Sequence, residues 1–176
     1  MPGNLPKTVV MGNVCIDRTR TVTTTENKAV SVEQESVVPG SPPVFYQRFL
    51  GPRRIEPYII APHGEDFNGV RERTKDHTPL NIIPPSLLRT LVYENTITDG
   101  VRSQRCFNTD GSADVAFDSE RPHSFRSRQE LRQADIFIFA PLTPDWQPDQ
   151  AKEALSLLKQ DNPPLRVLAL QGLTRS

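Results

Sequence analysis

A chain of 176 residues with 21 basic and 21 acidic side chains carries no net charge, so electrostatics makes no case for a nucleic-acid or anionic-membrane partner. The length suits one domain with a sizeable core and is short for two. Arginine supplies most of the cations but is scattered rather than striped, as expected of a solvated surface with local ion pairs.

Residues 1–7 contain two prolines and a glycine and predict a loose lead-in. TVVMGNVCID, residues 8–17, predicts a buried opening strand over 8–16 that delivers Asp17 at its C-terminal end, the end where open α/β sheets hold ligands. The Thr- and Val-rich segment that follows alternates on either side of Glu26-Asn27-Lys28, which predicts two half-buried strands with a turn at Asn27, extending off a main sheet as a flap. PGSPPVFYQRFLG, residues 39–51, sets a glycine where backbone can approach a ligand. A short helix is predicted from about Pro42 and Pro43, with Val44, Phe45, Phe49 and Leu50 on one face, stopped by Gly51 and Pro52.

Pro57–Ala61 predicts a second buried strand, and in the loop after it Asp66 is either a helix N-cap or a ligand-facing carboxylate. A short helix is expected over FNGVRERTKDH, and the proline-interrupted TPLNIIPPS is at best an edge segment. Residues 90–98 and 101–107 alternate around Asp99-Gly100, the signature of a tight hairpin. A polar loop leads to Ser124, a candidate cap for a helix over SFRSRQELRQA. Asp135-Ile-Phe-Ile-Phe-Ala has a fully apolar interior, as in a parallel strand covered on both faces. An amphipathic helix is predicted over 148–160, with Ala151, Ala154, Leu155 and Leu158 as its buried stripe, and a last strand over 165–170. Strand, helix, strand at this spacing is a right-handed crossover, so the sheet is at least partly parallel. The fold class is therefore α/β: a partly parallel sheet flanked by helices, with a β-hairpin lid.

No apolar run reaches the length of a membrane span, and the N-terminus lacks a signal-peptide pattern, so a cytoplasmic protein is expected. Cys15 and Cys106 fit neither metal-ligand spacing nor a disulfide framework and are expected to be buried small hydrophobes. His63, His77 and His123 share no metal-like spacing and are expected at the surface or in loops. No G-x-S-x-G elbow, Walker loop or G-x-G-x-x-G loop is present. Asp17 either accepts two sugar hydroxyls or serves as a local cap or ion pair with Arg18 or Arg20.

Taken in order, VVMGNVCID, VPGSPPVFYQRFLG, YIIAPHGEDF, TLVYENTITDGVRSQRCF and LALQGLTR resemble the N-terminal part of a PfkB-type carbohydrate kinase, the ribokinase-like family. The second segment departs from the family's pair of glycines, since Gly40 is followed by Ser41. The resemblance implies an ATP-dependent kinase acting on a sugar or nucleoside hydroxyl, with Asp17, Gly40, Ser41, Asn95 and Arg102 around the substrate. It also implies one ribokinase-like domain over 1–176, lid strands at about 20–37 and 90–107, and a homodimer through the lid. Asn95 and Arg102 either face substrate or pair across their hairpin. Gln171 and Arg175 belong to the last motif.

The family's G-A-G-D motif, which supplies a catalytic base and an anion hole, does not occur in the sequence, and neither does N-x-x-E. The expectation is a substrate-binding half without the nucleotide half, with little or no kinase activity as an isolated chain and with an unpaired edge on its last strand. ATP and Mg2+ are implied for the full-length family, and no metal or cofactor ligand is assigned in this chain. The alternative is a non-catalytic sugar-binding or interaction module. A chance likeness would instead scatter Asp17, Gly40 and Asp66.

Overall fold

The computed structural model describes residues 5–24, 30–40, 42–75, 80–108, 122–140, 148–158 and 165–168. The apolar opening stretch folds as two strands rather than one. β1, Thr8–Gly12, is buried along its whole length; after Asn13 and Val14 the chain re-enters a strand as β2, Cys15–Thr24, which lies in a different sheet. Asp17 is thus the third residue of β2 and not the end of the first strand. Gly12 and Asn13 interrupt the apolar run for only two residues, too short a break for the sequence alone to reveal the change of sheet.

The body sheet has the order β5-β4-β1-β8-β9 and is parallel throughout. Its other strands are β4 (Tyr58–Ile60), β5 (Asn81–Ile82), β8 (Ile136–Ala140) and β9 (Leu165–Leu168). β5 and β9 are its edges among the described residues, as the proline-rich composition of the former and the position of the latter predict. The lid sheet has the order β3-β2-β6-β7, formed by β3 (Val30–Gly40), β6 (Leu91–Thr98) and β7 (Val101–Phe107). β2 pairs antiparallel with β3 and parallel with β6, and β6 pairs antiparallel with β7. The turn between β6 and β7 places Asp99 at φ 48° and Gly100 at φ 82°, the left-handed pair that a two-residue hairpin requires.

Helices cover both faces of the body sheet. α1 (Pro42–Leu50) and α2 (Asp66–Arg73) lie on one face, and α3 (Pro122–Gln133) and α4 (Pro148–Leu157) on the other. Val9 and Met11 meet Leu131 of α3 and Ala154 and Leu158 beside α4, while Val44, Phe67 and Val70 of α1 and α2 meet Ile59 and Ala61. Ile16 joins this second cluster, so the root of the lid is packed into the body core. No helix among the described residues is long and apolar enough to cross a membrane.

Three helix stripes differ from the sequence pattern. In α1 the buried positions are Pro43, Val44 and Gln47, whereas Phe45 and Phe49 are 56% and 59% exposed and the Arg53 guanidinium lies 4.0 Å above the Phe49 ring. Leu155 in α4 is exposed and Leu157 takes the partly buried place; the Ala151 side chain lies outside the described residues. α3 begins at Pro122, so Ser124 is a buried residue inside the helix and not its cap. In each case apolar spacing defines a stripe, but which flank docks depends on how the helix is rolled against the sheet. The predicted turn at Asn27 lies outside the described residues.

Candidate functional site

The parallel order changes direction at β1, with β4 on one side and β8 on the other, and ligands of open α/β sheets bind outside the carboxyl ends of strands at such a switch. β1 ends there at Gly12, paired with Ala140, and passes through the buried Asn13 into β2. Asp17 therefore sits near the root of the lid, above the carboxyl end of the central body strand.

Strand register assembles the rest. Asp17 is opposite Val38 of β3 and Tyr93 of β6; Tyr93 is opposite Cys106; Thr19 is opposite Asn95, which is opposite Gln104. Directly paired residues point to the same side of a sheet, so Cys15, Asp17, Tyr93, Asn95, Arg102, Gln104 and Cys106 share one face. Gly40, the last residue of β3, is opposite Cys15, and a β-carbon placed on it would collide with the Asp17 carboxylate, reaching 2.7 Å from Oδ1. Only a hydrogen side chain leaves room for that carboxylate. Gly40 and Asp17 are thus brought together as one unit, and Gly40 leads directly toward the N-terminus of α1.

The Cys15 thiol donates to Asp17 Oδ1 at 3.2 Å, and among the described residues this is Asp17's single hydrogen-bond partner. Burial pushes the Asp17 carboxyl above the usual carboxylate range, with the thiol bond acting in the opposite direction. Burial, reinforced by the Asp17 charge, pushes the Cys15 thiol far up, which keeps it a protonated donor. Burial also raises the Tyr93 phenol, with Cys106, Asp17 and Cys15 adding to the effect and Arg102 opposing it.

Asn95 and Arg102 pair across their hairpin and also lie on the Asp17 face. Asn95 Oδ1 accepts from Arg102 Nε at 3.1 Å, from Arg102 Nη2 at 2.8 Å and from Gln104 Nε2 at 2.8 Å, and the Tyr93 hydroxyl donates to Gln104 Oε1 at 3.1 Å. The opposite face carries Arg18 and Arg20, each within 3.5 Å of Glu35 and Glu94. Asp17 therefore makes no ion pair with either arginine: an odd position on β2 faces away from the even ones.

Asp66 is not the N-cap. It is the first residue of α2, behind Glu65 at the cap position, and its Oδ1 accepts from the Thr90 amide at 3.0 Å and the Thr90 hydroxyl at 2.5 Å. This carboxylate fastens the start of β6, one residue before Leu91 pairs with Cys15. His63 is buried rather than at the surface, with Nδ1 3.1 Å from the Ala61 carbonyl oxygen and its ring edge-on to Phe67. Cys15 is buried as expected, whereas Cys106, on the edge strand β7, is exposed.

Ser41, His77, Gln171 and Arg175 lie outside the described residues, as does the His123 side chain. Tyr93, Gln104 and Cys15 were missed as site residues; the alternation around Asp17 is the signal that could have selected them, once β2 is paired with β6. Among the described residues no group of three or more His, Cys, Asp or Glu is placed to hold a metal. The sequence contains neither G-A-G-D nor N-x-x-E, and no step is routed through ATP or Mg2+.

No family model and no curated protein sequence matches the chain. Solved structures do. Phosphofructokinase-2 from Escherichia coli in complex with fructose-6-phosphate matches with a TM-score of 0.61 at 12% identity, over 96% of this chain and 56% of that one. Arabidopsis thaliana ribokinase complexed with ribose and ATP matches with a TM-score of 0.63 at 16% identity, over 96% and 54%. A carbohydrate kinase from Agrobacterium tumefaciens matches at 20% identity with a TM-score of 0.55, over 77% and 45%. The likeness shows the fold: the chain has an α/β, ribokinase-like fold, and it spans about half the length of the structures it matches.

Proposed function

We propose that this chain is the sugar-binding, lid-bearing part of a PfkB-type carbohydrate kinase, organised as one ribokinase-like domain over 1–176. The observation that carries the reading is the Asp17 carboxylate seated on Gly40, on the polar face of the lid, with a single thiol as its partner among the described residues. An ionised carboxylate can accept several O–H bonds, so two hydroxyls of a sugar or nucleoside can share it, replacing the water that burial removes. Its role is orientation: it holds the polyol so that one further hydroxyl is presented for phosphoryl transfer. Tyr93, Asn95 and Arg102 line the same face, and Ser41 follows Gly40 in sequence. ATP and Mg2+ are the co-reactants this activity needs, and their ligands are sought outside the residues assigned here.

A homodimer through the lid belongs to the same reading. Val32 and Val101, opposite Val22 and Thr98 on the face away from Asp17, are 55% and 71% exposed, an apolar supply for packing a second lid. The second reading is a non-catalytic sugar-binding or interaction module, in which the Asp17 face holds a polyol without phosphoryl transfer.

The test is a thermal-shift panel of sugars, polyols and nucleosides, with and without ATP and Mg2+. At least one sugar or nucleoside is expected to raise the melting temperature of the wild type and not of Asp17→Ala. If no compound shifts the wild type, the reading fails. Phosphorylation of a bound sugar by this chain alone would overturn the view that the transfer groups lie elsewhere.

A further inference from the structure

The register of β6 against β2 decides which side chains stand beside Asp17, yet the composition of β6 does little to fix it. Leu91 is its single buried apolar residue, Val92 follows immediately, and positions 92–94 and 96–98 are all half-buried. A one-residue slip would seat Val92 in the place of Leu91 at small apolar cost and would turn Tyr93 and Asn95 to the other face. β7, exposed along its whole length, adds no burial pattern that would resist the slip.

Thr90 supplies what the pattern lacks. It is fully buried, it directly precedes Leu91, and each of its polar groups is engaged. Its amide donates to Asp66 Oδ1 at 3.0 Å and its hydroxyl to the same oxygen at 2.5 Å; the Gly64 amide donates to its hydroxyl oxygen at 3.0 Å, and its carbonyl accepts from Asn108 Nδ2 at 2.9 Å. The body end of this clasp is equally fixed. A β-carbon on Gly64 would come within 2.8 Å of Arg89 Cα, the His63 carbonyl accepts from the Ser86 and Leu87 amides at 2.8 and 3.0 Å, and Phe67, next to Asp66, is buried in the body core. A slip would bring Arg89 or Leu91 to the carboxylate, each with an amide but no hydroxyl. Resting on the sugar-kinase reading of the Asp17 face, we propose that Asp66 is a positioning residue of the sugar site: by holding Thr90 it pins the register that sets Tyr93 and Asn95 beside Asp17. It acts at a distance, through Leu91 and Cys15, which stand opposite each other two residues before Tyr93 and Asp17.

The test is NMR of the full chain, reading the cross-strand contacts of Asp17 with Tyr93 and of Thr19 with Asn95, alongside calorimetric titration with ribose, fructose and adenosine. Asp66→Ala is expected to weaken both contacts and to lower the affinity for any probe that the wild type binds by at least about tenfold, the loss expected when hydrogen bonds to a charged group are removed. Thr90→Ser keeps the amide and the hydroxyl and should restore wild-type contacts and affinity. Leu131→Ala, on the other side of the body sheet, should lower the melting temperature and leave contacts and affinity unchanged. Intact contacts or unchanged affinity in Asp66→Ala would reduce the carboxylate to a structural tie and overturn the proposal, and so would an equal loss of affinity in Leu131→Ala. If no probe binds the wild type, the sugar-kinase reading loses its support while the two contacts still decide whether Asp66 pins the register. If Asp66→Ala does not fold, Thr90→Val takes its place, with the same directions and smaller losses.

Discussion

The two sheets of this molecule are joined by two residues yet obey different rules. In the body sheet, Val9, Val10, Met11, Ile59 and Ile60 are fully buried, and helices seal both faces. In the lid sheet, β7 is exposed along its whole length and β6 is half-buried, and polar side chains on both faces are tied by cross-strand hydrogen bonds and ion pairs. Apolar burial is worth about 1.5–3 kcal/mol per large side chain, whereas an exposed ion pair is worth about 0–1. The stability of the chain thus resides in the body and the root of the lid, and its chemistry lies where substitutions are cheap.

The largest effect should come from the joint between the two. Phe67, fully buried between α2 and Ile16, should cost about 3–5 kcal/mol when changed to Ala, read from the urea midpoint. A loss below about 1 kcal/mol would mean that the lid root is not packed on the body. Next comes the latch: Thr90→Val removes the hydroxyl donor to Asp66 and should cost about 1–3 kcal/mol, with hydrogen exchange rising first in β6.

Gly40→Ala should cost about 1–3 kcal/mol from the collision with Asp17 and should abolish sugar binding. In an Asp17→Ala background the same change should cost clearly less; additive costs in that double-mutant cycle would separate the two residues.

Asp17→Asn is expected to gain stability at neutral pH while losing ligand affinity, the mark of a carboxylate kept for function. Burial raises the folded-state pKa of Asp17 above its ordinary unfolded value. Across the window between those two values the unfolded chain releases the proton while the folded chain keeps it, so rising pH costs the wild type stability. The melting-temperature advantage of Asn should therefore be smallest below the ordinary carboxylate pKa and fully open above the raised one. An advantage that is constant with pH would contradict the burial assigned to Asp17. Smallest of all, Arg20→Ala on the opposite face should change stability by no more than about 1 kcal/mol and leave sugar binding intact.

Much of this was legible in the residues. The alternation of residues 90–107 around Asp99-Gly100 specifies a hairpin because only that dipeptide type accepts two left-handed positions cheaply. The unbroken apolar run at 136–140 specifies a strand covered on both sides, and the strand-helix-strand spacing after it specifies a parallel neighbour. Asp17 and Gly40 stood out as a pair because their segments followed one another in a familiar order.

Only the tertiary structure decided that the opening stretch changes sheet after Gly12, that Phe45 and Phe49 face outward, that His63 is buried, and that Asp66 accepts from Thr90. It also decided which residues join Asp17. Alternation along a strand is a local property, written into the chain with period two. Which of the two faces is shared with β6 depends on the register of a parallel pairing between distant segments, and a slip of one residue would send Tyr93, Asn95 and Arg102 to the other side. Local preference selects the elements; long-range register, set by the packing of the lid root on the body, selects the site.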